Sequence, residues 1–158
     1  MHDNFVKTSI ALFVAETLYK SVKEEEQNPA LFSFIENSLQ LLDLKQEGVA
    51  NFHLLFLLSL TRHLGFYPQL NSAGGNRYFD LKDGTFRAAP PPHPLFLEEQ
   101  DSALIAELMN FSFENMQDLQ LNGQTRSRLV DHLLHYYELH LPSMQQVRSH
   151  EVLETVLS

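Results

Sequence analysis

Apolar positions along the 158 residues fall into blocks with helical spacing, and one block stands apart from the others. Between Asn51 and Pro68 the chain reads NFHLLFLLSLTRHLGFYP, and six of the seven residues from Leu54 to Leu60 are apolar. A helix of that composition has no face that can stay wet, so it belongs at the centre of a bundle. Its end is marked by Arg62 and His63 in the last turn, a glycine able to turn left-handed at 65, and Pro68. A central apolar helix over about 51–66 follows. Upstream, Phe5, Val6, Ile10, Phe13, Val14, Leu18 and Val22 recur at three- and four-residue steps and predict a helix over 4–26. The acidic run Glu24–Glu26 marks its frayed, solvated end, since acids suit a helix C-terminus poorly. Asn28 and Pro29 suit the N-cap and first position of a second helix, with Leu31, Phe32, Phe34, Ile35, Leu39 and Leu42 apolar as far as Leu44. Three helices with short links predict an antiparallel bundle.

The pattern changes after Pro68. Residues 69–97 hold Gly74-Gly75, Asp83-Gly84 and a proline cluster at 90–92 and 94, and read as an irregular insert. Within it, about 77–87 predicts a small β-hairpin turning at Asp83-Gly84. An isolated hairpin is marginal, so Tyr78, Phe79, Leu81 and Phe86 should lean on the helical body. The prolines predict an extended connector, with a partner-binding polyproline segment as the other reading. Helical spacing returns near Glu98 with Ala103, Leu104, Ala106, Leu108 and Met109, and Phe111, Phe113, Met116 and Leu119 suggest a short helix or irregular turn. Asn122-Gly123 breaks the chain before a helix from about Thr125 to Leu139. Leu129, Val130, Leu133, Leu134, Tyr137 and Leu141 mark its buried side, and Arg128, Asp131, His132, His135 and Glu138 the opposite one. Ser143 with Gln146 matches a capping box, and Ser149 is placed to cap a last helix bearing Val152, Leu153, Val156 and Leu157. The expectation is one mainly α domain over 1–158.

Composition narrows the function. Hydrophobic residues at 44% and charged residues at 20% suit an ordinary water-soluble core and surface. The N-terminal apolar run is interrupted by Glu16 and Lys20, unlike a signal peptide, and no run reaches the roughly 18 residues of a membrane span. With no cysteine there are no disulfides or thiolate metal sites, which suits the cytoplasm. A net charge of −9, without any basic run, argues against direct nucleic-acid binding, which depends on Lys and Arg at phosphates. No nucleophile elbow, phosphate-binding glycine loop or HExxH pair is present. Eight histidines raise a metal reading, in which His132 and His135, with Asp131 and Glu138 beside them, bind zinc or iron in a metal-dependent helical enzyme. The plainer reading of those residues is a solvated helix face. Spacing and composition favour a helical interaction domain without catalytic residues.

Four segments carry a resemblance. LFVAETLYKSV (12–22), LFSFIENSLQLLD (31–43), NFHLLFLLSLTRHLGFYPQL (51–70) and YYELHLPSMQQVRSHEVLETVL (136–157) resemble, in order, the C-terminal region of the RecO family of bacterial recombination mediators. The aromatic wording is most like members from the Bacteroides group. The resemblance implies a role in DNA repair by homologous recombination, in the cytoplasm and at the nucleoid, helping RecA load on single strands coated with single-stranded-DNA-binding protein (SSB). It implies RecR and the SSB tail as partners, and DNA contact mainly through an N-terminal OB-fold that nothing here resembles, so that Met1 would begin a fragment. Many members hold zinc with four cysteines after the HLGFxP-like turn; residues 71–94 have none, so no cofactor is expected. An acidic, Phe-ended SSB tail needs an apolar pocket and a cation. Arg62, His63, Phe66 and Tyr67 are the first candidates, and Arg126 and Arg128 the second. Arg62 and His63 equally suit partners of the helix dipole. A third reading is a regulatory helical domain unrelated to that family.

Overall fold

The computed structural model describes residues 2–22, 27–144 and 147–158. Six α-helices and a small sheet follow one another: α1 (His2–Ser21), α2 (Pro29–Leu44), α3 (Phe52–Leu64), β1 (Tyr78–Asp80), β2 (Thr85–Arg87), β3 (Phe96–Leu97), α4 (Glu99–Leu108), α5 (Gly123–His140) and α6 (Ser149–Leu157). Single 3-10 turns at Met116–Asp118 and Pro142–Met144 precede α5 and α6. The fold is mainly α around one central helix, as the hydrophobic pattern requires. No helix among the described residues is long and apolar enough to cross a membrane.

Helix α3 is covered on every side. Every residue from Asn51 to Thr61 is buried except Ser59. Helices α1, α2 and α5 pack against it, and α6 lies along α1. The Tyr137 hydroxyl donates to the Leu57 carbonyl and the Tyr136 hydroxyl to the Phe66 carbonyl, which fixes α5 along the length and exit of α3. Asn51 sits at the start of α3 without capping it. Its amide instead donates to Leu119 O (2.7 Å), while its carbonyl accepts from Arg126 Nε (2.9 Å).

Local signals explain most boundaries. Asn28 Oδ1 accepts from Leu31 N at 3.1 Å, with Pro29 opening α2. Gly65 takes φ 96° beyond α3, and its N–H returns to Thr61 O at 2.9 Å. Asn122 caps α5 through Thr125 N (2.8 Å), so the Asn-Gly pair read as a break is the start of the helix. Helix α6 is capped from far away: Glu16 Oε1 of α1 accepts from Arg148 N (3.0 Å), Ser149 N (3.0 Å) and Ser149 Oγ (2.7 Å). The acidic run at 24–26 and Gln146 of the expected capping box lie outside the described residues. Two expected core aromatics are exposed, Phe5 at 57% and Phe32 at 64%. Each stands about a quarter turn from its helix's buried stripe, because neighbouring residues differ by roughly 100°.

The insert forms a three-stranded antiparallel sheet ordered β2-β1-β3, one strand more than a hairpin. Its inner face, Phe79, Leu81, Phe86 and Leu97, is buried on the helical body. The loop from Asp80 to Gly84 closes with Gly84 N on Asp80 O at 2.8 Å. Gly84 has φ 72°, and a Cβ there would stand 2.6 Å from Tyr136 Oη, so both backbone and space demand glycine. The buried Asp80 carboxylate organises the insert, accepting from Lys82 N (2.9 Å), Asp83 N (3.0 Å) and Arg87 Nε (2.9 Å), with His93 Nε2 at 3.2 Å. Burial pushes its carboxyl up, but the Asp83 N–H, His93 and Arg87 outweigh that and hold it below the ordinary 3.8.

Removing the buried acceptor strands these donors. Asp80→Ala is expected to cost about 3 kcal/mol, read as a lowered midpoint in urea unfolding. His53, enclosed in α3, is pushed down to about 3 by burial and by the Arg126 charge. The folded chain therefore binds fewer protons than the unfolded one below 6.5, and stability is lost as pH falls from 6.5 towards 3. In His53→Leu, that part of the stability–pH profile should be flatter.

Candidate functional site

The end of α3 opens into a groove of about 320 Å³. Arg62 and His63 occupy the last helical turn, and the left-handed Gly65 reverses the chain so that Tyr67 returns beside them. The Arg62 guanidinium lies 4.3 Å from the centre of the Tyr67 ring, a cation–π contact that holds both side chains at the rim. His63 stacks on Phe34 of α2 (4.7 Å between centroids, 28°), and Phe34 stacks in turn on Phe56 at 5.3 Å. Leu55 and Leu58 of α3 line the groove along with Leu41 of α2, and the turn after α4 supplies Met109, Phe111 and Phe113. Asn37, Ser38, Ser59 and Ser112 add polar atoms.

Among the described residues no carboxylate lines this groove. Among the described residues none pairs with Arg62, which is exposed. Burial and the Arg62 charge both hold the His63 imidazole below its ordinary 6.5, so at neutral pH it offers a neutral hydrogen-bonding ring and a stacking surface. The groove therefore joins an apolar slot to one unneutralised cation, on a chain with nine more negative than positive groups. Such a site suits a ligand with an aromatic or aliphatic side chain next to a carboxylate.

The structure brings Arg62, His63 and Tyr67 together and leaves Phe66 out. Phe66 faces the other way, 5.4 Å from Tyr136, 5.2 Å from Tyr137 and stacked at 5.0 Å on His140. It anchors the α3 exit to α5. Neither second candidate is a free cation. Arg126 is buried, bonded through Nε to Asn51 and through Nη2 to Leu121 O at 3.0 Å. Arg128 grips both Asp101 oxygens, with Nε and Nη2 each at 3.0 Å from one of them. His132 shares that carboxylate (2.8 Å), while His135 and Glu138 are exposed, so the His132/His135 face of the alternative metal reading does not converge. Sequence reading missed the contributions of α2 and of the turn after α4; the clustered Phe111 and Phe113 were the available signal.

The family zinc does not fit the insert. Residues 71–94 hold no thiolate, and Asp80 is bonded to Arg87 and His93. The second nitrogen of His93 accepts from Leu95 N at 3.0 Å.

These features define a mainly helical module wrapped on one buried helix, with a groove where that helix ends that no acid among the described residues lines. The family model described as "Recombination protein O C terminal" matches residues 2–149, and the chain belongs to that family. It is similar to the DNA repair protein RecO of Azobacteroides pseudotrichonymphae, 35% identical over 98% of this chain and 64% of the relative. It is also similar to that of Bacteroides fragilis, 36% identical over 94% and 62%, and to that of Flavobacterium psychrophilum, 35% identical over 100% and 65%. The chain thus spans somewhat under two thirds of the length of these relatives. No solved structure matches it at a significant level.

The His63 ring supplies a local check. In a histidine NMR titration its midpoint should lie below 6.5 and move upward in Arg62→Gln, which removes a nearby positive charge.

Proposed function

We propose that this chain is the helical, protein-contacting part of a recombination mediator acting in bacterial DNA repair. In this reading it works without catalytic chemistry. Its groove at the α3 exit receives the acidic, Phe-ended C-terminal tail of SSB, bringing the mediator to coated single strands so that RecA can replace SSB. RecR is the second partner. DNA contact belongs mainly to an OB-fold elsewhere in the full-length protein, in the cytoplasm and at the nucleoid during repair.

The observation that carries the reading is local charge. An acidic tail should avoid a chain of net charge −9, yet among the described residues the groove is lined without a single carboxylate and holds Arg62 at its rim. The apolar slot between α2, α3 and the turn after α4 suits the terminal phenyl ring, and Arg62 stands where a carboxylate beside that ring would lie. His63 and Ser59 offer further hydrogen bonds. Membership of a family whose relatives are DNA repair proteins supports the same direction.

Calorimetry with an SSB tail peptide tests it. Arg62→Glu should weaken binding by a factor of ten or more, roughly 1.4 kcal/mol at the least. Tyr67→Ala should weaken it less, while Arg128→Gln, already engaged by Asp101, should leave it unchanged. Unchanged affinity in Arg62→Glu would place the peptide elsewhere.

A further inference from the structure

At the joint between α5 and α6 the fold gathers a second set of chemistry-bearing residues. His150 and Glu154 lie one turn apart on α6 and so share a face. That face meets α5 at Asp131, and one ligand-type atom from each of the three lies within 4.8 Å of the others. His150 Nε2 stands 3.6 Å from Asp131 Oδ1. This is long for a hydrogen bond. It is close to the roughly 3.4 Å that separates two ligands each about 2.0–2.1 Å from a tetrahedral zinc ion. We propose that Asp131, His150 and Glu154 form a site for a divalent transition-metal cation, zinc by its donor set, that clamps α6 to α5.

A second observation points the same way. Glu154 Oε1 and His150 Nδ1 are shielded from solvent and have no hydrogen-bond partner among the described residues, although the Glu154 carboxyl also meets that of Asp131. Behind them lies a cavity of about 10 Å³, room for roughly one water. His53, 2% exposed, lines that cavity too, and its Nδ1 is likewise unpartnered. Shielded polar atoms without partners are rare and call for an unseen one. A cation taking His150 Nε2 leaves the proton on Nδ1, free to donate to a water in the cavity that His53 also lines. One imidazole with two carboxylates suits zinc better than magnesium or calcium, which prefer oxygen alone. The charged neighbours are Glu151, which favours a cation, and Arg126, which opposes it from the cavity wall. Two carboxylate ligands outweigh that single arginine. The site is separate from the insert and shares no residue with the groove at the α3 exit.

The test uses the whole chain, stripped with a chelator and titrated with zinc chloride by calorimetry alongside thermal unfolding. The expected result is one zinc per chain and a raised unfolding midpoint. Asp131→Asn and Glu154→Gln keep shape and, by circular dichroism, the fold. Each should weaken zinc at least about tenfold and remove the rise in midpoint. His135→Ala, an exposed histidine outside the trio, should change neither. Absence of zinc binding, zinc binding undiminished in Asp131→Asn and Glu154→Gln, or its loss in His135→Ala would each overturn the proposal.

Discussion

A helix with no polar face has to be covered on every side, and the architecture follows from meeting that demand for α3. Helices α1, α2 and α5 supply the cover, and two tyrosine hydroxyls of α5 spend their hydrogen bonds on carbonyls of α3 and its exit. The cover runs out only where α3 ends. There the helix changes from leucine and phenylalanine to Arg62 and His63, and the chain turns back at Gly65. A groove forms at that edge because α2 and the turn after α4 flank the exit without closing over it. The division between scaffold and surface is less clean than the sequence suggests, since Leu55 and Leu58 belong to the core and also line the groove.

Features that depend on neighbours in sequence were legible. The three-four spacing placed the helices, and Asn28, Pro29 and Gly65 placed their ends. Features that depend on distant partners were not. Phe66 follows Arg62 closely in sequence and was grouped with it, yet a left-handed residue between them sends the two side chains to different sides. Arg128 reads as a free surface cation until Asp101, 27 residues earlier, is seen to hold it. Strand β3 is only two residues long and follows four prolines, too short and too interrupted for any pattern to show. Of the candidate site, the α3 half was visible in the chain, while the α2 half emerged only from packing.

The insert shows how a cysteine-free region is drawn together by one side chain. A single buried carboxylate collects two backbone N–H groups, an arginine and a histidine, drawing the loop, β2 and the segment before β3 to one point. Unlike a thiolate cluster, that arrangement is insensitive to oxidation and to chelators, but it depends on the carboxylate staying ionised. The integrity of the insert thus rests on the charge of one side chain.

The Glu16 cap has a consequence for synthesis. Helix α1 leaves the ribosome well before α6, yet its carboxylate completes the start of α6, 133 residues later. Its buried face also rests largely on α6 and α3. While the chain is still emerging from the ribosome, α1 has α2 and α3 for company but lacks α6, the helix it packs against most extensively. The half-built domain therefore carries an uncovered strip of α1 until α6 arrives, and closure of the domain waits on that helix rather than on the ones made just after α1.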